Sequence, residues 1–170
     1  QLLRTLGVEH PVDSVDAEPG SAEMGIEAAM RTYVNARIDT SRIQFVDGSG
    51  LSRHNLVTPR AIVHILQHMW THPSEAVSSA FYASLPVGGR NGTLEYRFRG
   101  RARAQGRVRA KTGTLSHASS LSGIVRTADG TPLAFAVLCN HHLTDTDFVR
   151  AAQDIIVNAL ATYPSLSALE

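Results

Sequence analysis

Apolar positions along the chain recur at two spacings, one helical and one alternating, and each change of spacing marks a new element. Leu2, Leu3 and Leu6 lead into Gly7 in a stretch that reads as the last turns of a helix stopped by that glycine. A polar, turn-rich passage runs from His10-Pro11 to Pro19-Gly20. Ile26, Ala29, Met30, Tyr33 and Val34 then repeat at i, i+3, i+4, i+7 and i+8, which predicts an amphipathic helix with one face on a core. Ile43-Gln44-Phe45-Val46 is a short strand or an extended lead-in to Asp47-Gly48-Ser49-Gly50, whose glycines permit a tight path. Thr58 suits a cap and Pro59 a first helical position, so Ile62, Ile65, Leu66, Met69 and Trp70 form the core stripe of a second helix.

From Ser84 to Gln105 the glycines and prolines predict loop. Alternation then begins. Gly106 to Leu115 reads as a strand with Val108 and Ala110 on one face and Arg107, Arg109 and Lys111 on the other, ending at Lys111 where Gly113 relaxes the backbone. Ser119–Val125 and Leu133–Leu138 are two more strands, joined by Asp129-Gly130, a strong hairpin signal. Consecutive connection makes all three antiparallel. After Thr144 or Asp145 a last helix repeats Phe148, Ala152, Ile155, Ile156, Ala159, Leu160 and Tyr163, an apolar face expected to cover the sheet, before Pro164 and a Ser-rich tail end it.

The 170 residues, 43% of them hydrophobic, suit one globular unit, and a formal net charge of +1 argues against an overall polyanion binder. No apolar run approaches the roughly twenty residues needed to cross a bilayer. Cys139 stands alone, which excludes an internal disulfide, and its apolar neighbours Leu133 to Leu138 mark it as a buried small side chain. His64, His68 and His72 have a spacing that could present ligands to zinc, but no Glu follows His64, and all three fall opposite the apolar stripe; they read as a polar face. Ser49 is flanked directly by glycines, so the nucleophile-elbow spacing is not met and the loop reads as structural. Arg97, Arg99, Arg101 and Arg103, with Arg107 and Arg109, concentrate positive charge. With only Tyr96 and Phe98 nearby to stack bases, they read as a solvated hairpin flank and not as a nucleic-acid surface.

One residue stands out against this composition. Of sixteen basic residues fifteen are Arg, and the single Lys is Lys111, in Lys111-Thr112-Gly113. A compact ammonium with three rotatable donors does what a planar guanidinium cannot. Lys-Thr-Gly is also one of three motifs of the penicillin-recognising serine acyl-transferases. The others are missing: three residues before the only Lys stands Val108, so no Ser-x-x-Lys exists, and no Ser lies two residues before an Asn.

Asp47-Gly48-Ser49-Gly50-Leu51-Ser52-Arg53-His54-Asn55, Leu85-Pro86, Gly92-Thr93-Leu94 with Arg97, Ala110 to Leu115, and Leu121-Ser122-Gly123 follow in order and spacing. In these motifs the chain resembles, over nearly all of its length, the C-terminal part of the D-alanyl-D-alanine carboxypeptidase/endopeptidases of the class C low-molecular-mass penicillin-binding proteins. The resemblance implies an α+β fold of the β-lactamase/transpeptidase kind, an antiparallel sheet of about five strands flanked by helices, of which residues 1–170 are the C-terminal portion of one domain. The nucleophile would then lie in an upstream segment of the same protein, and this portion alone would not be catalytically competent.

The activity so implied is that of a serine-type D-Ala-D-Ala carboxypeptidase working outside the cytoplasm, in periplasm or cell wall, on peptidoglycan stem peptides and acylated by β-lactams, with no metal and no cofactor. DD-endopeptidase or β-lactam hydrolase activity, or a catalytically dead ligand-binding remnant, are the alternatives. By the same resemblance Lys111 is the catalytic residue of this wall and Thr112, Gly113 and Thr114 bind substrate. His117, close after the motif, either contacts substrate or lines the rim, and the rim is the favoured reading.

Overall fold

In the computed structural model, residues 1–12, 17–100 and 102–163 are described. Asp13–Asp16, Arg101 and the tail from Pro164 onward, on which parts of the expectations above fall, lie outside them. The chain divides into two compact units, Gln1–Ile65 and Leu66–Glu170.

In the first unit α1 (Leu2–Glu9) packs against α2 (Ala22–Asn35). Gly7 does not stop α1 but is buried inside it, at the crossing with α2: a Cβ on Gly7 would stand 2.8 Å from the Gly25 backbone nitrogen, and one on Gly25 only 1.9 Å from the Leu3 carbonyl oxygen. Two facing glycines let the helix backbones touch, which is why the residue expected to end the helix sits at its contact instead. Ser21 caps α2, accepting from the Met24 N–H at 3.1 Å. The buried face of α2 is Met24, Gly25 and Ala28, joined by Val12; Met30 and Tyr33 turn to a second cluster with Ile38, Ile43 and Ala61. Val34, expected in the core stripe, is exposed.

The Ile43–Val46 segment pairs only through a bridge between Gln44 and Leu56. The loop beyond it is a hydrogen-bonded unit: Asp47 Oδ1 accepts from the Ser49 N–H at 2.9 Å and from the Ser49 hydroxyl at 2.8 Å, and the Asn55 amide clamps Val46 and Asp47. The two Ser49 donors hold the Asp47 carboxyl below its usual range. Ser49 is thus committed to loop structure. Thr58 caps α3 (Pro59–Trp70), its hydroxyl accepting from the Ala61 N–H at 3.2 Å.

The second unit is built on a three-stranded antiparallel meander, β1 (Val108–Leu115), β2 (Ala118–Arg126) and β3 (Pro132–Asn140), in that order. The turn at Asp129-Gly130 is as expected, with Gly130 at φ 89°. β1 does not end at Lys111; Lys-Thr-Gly lies within it. Gly113 serves packing here, since a Cβ would meet the Ser120 hydroxyl across the ladder at 2.5 Å.

Helices lie on both faces. α5 (Thr146–Thr162), capped by Asp145, packs on β2 and β3 through Val149, Gln153, Val157 and Ala161. With Val108, Ala110, Leu121, Val125, Phe135, Leu94 and Phe98, the last two of these α5 residues close the main core. This corrects the expected α5 face, which points largely to solvent: Phe148 and Ile155 are each 71% exposed, and Ile156 and Tyr163 about half so.

On the other face sits α4 (Glu75–Ser84), a helix the apolar pattern does not announce because none of its residues is fully buried. Arg109 lies over the Tyr82 ring and donates to the carbonyls of Tyr82, Ala83 and Leu85 at the end of α4. Arg126 covers the Trp70 ring. Two of the clustered arginines are likewise structural, Arg97 through Asp154 and Arg99 over Tyr96.

Candidate active site

Strand alternation sorts the motif onto two faces. Val108, Ala110, Thr112 and Thr114 point to the α5 side, and Arg109, Lys111 and Leu115 to the α4 side. Lys111 and the two threonines therefore sit on opposite faces of one strand. The exposed Lys111 ammonium bends round to the strand edge, where it donates to the Thr112 carbonyl at 2.5 Å.

That edge is half covered. Pro86–Gly88 pairs with the first part of β1: the Gly88 N–H donates to the Val108 carbonyl at 2.9 Å, and the Ala110 N–H to the Pro86 carbonyl at 3.1 Å. Every second residue of a strand directs its backbone groups the same way, so the N–H and C=O of Thr112 and Thr114 also face outward. Among the described residues of this unit no strand pairs with them.

Beside this edge a cavity of about 710 Å³ opens, lined by the three motif residues Thr112, Gly113 and Thr114 and, from α5, by Asp147, Arg150 and Asp154. Its floor is a polar network. Gln153, wholly buried, donates to the Ser119 hydroxyl at 3.2 Å; Ser119 pairs with Thr114 across the ladder. Arg97 donates to Gln153 Oε1 at 3.2 Å and to Asp154 Oδ1 at 3.0 and 2.6 Å, at 13% exposure of its side chain. A buried Gln is tolerated because both ends of its amide are met. Arg150 donates to Asp147 at 2.9 Å, and its other terminal nitrogen stands 3.4 Å from the Thr114 hydroxyl.

Thr112, Gly113 and Thr114 thus share one cavity, while Lys111 meets them only at the edge. Gln153, Arg150 and Asp147 went unnoticed in the sequence, since charged and amide residues on a helix carry no local signal of which face they take. His117 occupies the tight turn between β1 and β2 at φ 60°, its ring nitrogen 2.9 Å from the His142 carbonyl. His68 and His72 meet edge to ring at 5.8 Å.

The profile of the D-Ala-D-Ala carboxypeptidase 3 (S13) family matches residues 5–163. A D-alanyl-D-alanine carboxypeptidase of Actinomadura sp. (strain R39) is 37% identical over 99% of this chain, and carboxypeptidase DacB of Mycolicibacterium smegmatis is 35% identical over 72%. This chain spans 30% and 27% of those two relatives. Penicillin binding protein 4 (dacB) of Haemophilus influenzae, solved with a β-lactam, superposes with a TM-score of 0.76 at 25% identity, over 95% of this chain and 37% of that one. Its fold is the β-lactamase/transpeptidase-like one that the motifs imply. The chain belongs to the D-Ala-D-Ala carboxypeptidase 3 (S13) family of penicillin-binding proteins.

Proposed function

We propose that this chain forms one wall of the active site of a serine-type D-Ala-D-Ala carboxypeptidase that acts on peptidoglycan stem peptides outside the cytoplasmic membrane and is acylated by β-lactams. The observation that carries this is the outward edge of β1, where the backbone groups of Thr112 and Thr114 meet no strand among the described residues, beside a cavity that these threonines line. An extended stem peptide pairs with such an edge as an added strand. The Thr114 N–H, directed outward, serves as one donor to the oxyanion of the tetrahedral intermediate.

Lys111 holds positive potential at the edge from the α4 side, keeping a neighbouring catalytic amine neutral and basic. Thr112 and Thr114 offer hydroxyls to the carboxylate of the terminal D-Ala from the α5 side. The nucleophilic Ser and its general base come from outside these 170 residues, because Ser-x-x-Lys cannot be formed with Lys111. On this reading residues 1–170 are the C-terminal part of a single transpeptidase-like domain, in keeping with the 30% of the Actinomadura relative that they span.

Treatment with a fluorescent penicillin followed by denaturing electrophoresis tests the assignment. The full-length protein should carry a covalent label and the 170-residue chain none. A stable label on Ser49 or Ser52 would sink it.

A further inference from the structure

The cavity beside β1 holds a cation that the Lys-Thr-Gly motif does not account for. Two arginines and two aspartates line it, and they are not equivalent. Arg97 and Asp154 are bound to each other, and Arg97 spends further donors on Gln153 and on the Arg150 carbonyl, so this pair is fixed structure. Among the described residues Arg150 has one ion-pair partner, Asp147, whose side chain is 85% exposed, and beyond it only the long contact of 3.4 Å to the Thr114 hydroxyl. Surface pairs of this kind are weak and exchange readily with a better-placed anion.

Position favours such an anion. Arg150 directs one terminal nitrogen at the Thr114 hydroxyl, inside the cavity that Thr112 and Thr114 also line. A guanidinium with five donors, two threonine hydroxyls and outward backbone N–H groups make a set suited to a carboxylate.

We propose that Arg150 binds the free C-terminal carboxylate of the substrate together with Thr112 and Thr114, displacing Asp147, and so sets the preference for peptides ending in an acid. The proposal rests on the acyl-transferase reading above. Lys111, on the opposite face, is left to the proton-transfer side of the site, which divides the two positive charges between two tasks.

The test compares N-acetylated Lys-D-Ala-D-Ala peptide with its C-terminal amide in the full-length protein. Arg150→Gln should raise KM for the acid about tenfold, the scale of one charge-assisted hydrogen bond, with kcat within about twofold and turnover of the amide unchanged. Arg150→Lys should recover part of the loss. Asp147→Asn, at an exposed position with little to disturb, should lower KM for the acid alone by releasing the guanidinium. Equal effects of Arg150→Gln on acid and amide, or no effect on either, would overturn the proposal.

Binding of N-acetyl-D-alanine, followed by NMR, separates the two readings. If the protein neither takes a penicillin label nor cleaves either peptide, the acyl-transferase reading fails; carboxylate binding lost in Arg150→Gln then still upholds the anion site, and binding indifferent to Arg150 removes it.

Discussion

Lys111 is the one position where the choice between two cations is informative. If only charge mattered, Lys111→Arg in the full-length protein would keep most activity. A longer planar fork in place of an ammonium folded against the Thr112 carbonyl should instead displace its neighbours, lowering kcat/KM for a D-Ala-D-Ala peptide by about a hundredfold, or about 2.7 kcal/mol, with Lys111→Ala worse. Steady-state kinetics checks both, and near-wild-type turnover by Lys111→Ala would take Lys111 out of the site. Gly113→Ala puts a methyl group 2.5 Å from the Ser120 hydroxyl and should cost about 1–3 kcal/mol in denaturant unfolding, eased by adding Ser120→Gly. Asp47 supplies a pH dependence. Its pKa is lowered in the fold, so the turn's contribution is complete above the unfolded value of 3.8 and fades as pH falls through the lower folded value. The protection factor of the Ser49 amide, which divides out the intrinsic pH dependence of exchange, should fall in that acid range and stay constant above it.

The elements divide into those whose sequence states their surroundings and those whose sequence does not. Strands β1 to β3 were legible because alternation and an Asp-Gly turn leave a single register with one face buried. α5 was legible as a helix but not in orientation. Its larger apolar residues, Phe148, Ile155 and Ile156, outweigh Val149, Val157 and Ala161 in any count of hydrophobicity, yet the smaller set with Gln153 fits the sheet. No periodicity reveals that a buried amide belongs to a core stripe when its partners, Arg97 and Ser119, lie 56 and 34 residues away. The motif's part of the site was readable, and its α5 part was not, for the same reason. This yields a paired prediction. In the full-length protein Val157→Ala should cost about 2 kcal/mol, and Ile155→Ser several-fold more than the roughly 0.5 kcal/mol of an open surface site, because on the proposed division further polypeptide covers α5. Thermal unfolding of the two variants checks both.

For the molecule as a whole, the outer edge of β3 meets no strand among the described residues, and α5 turns an apolar stripe outward. Expressed alone, residues 1–170 should therefore self-associate, which sedimentation would show; a monomer that unfolds cooperatively would count heavily against the proposed division of one domain. The meander has a further consequence, in time rather than in space. Each strand pairs with the next along the chain through a short turn, so the ladder that carries Lys-Thr-Gly closes only short loops as it forms, and chains rich in such local contacts fold fast. The strand that carries Lys-Thr-Gly should accordingly acquire its hydrogen bonds early in refolding, within the unit it belongs to. On the proposed function and the proposed division of one domain, any slow phase in the recovery of penicillin labelling would then report the arrival of the remaining polypeptide against a wall already standing.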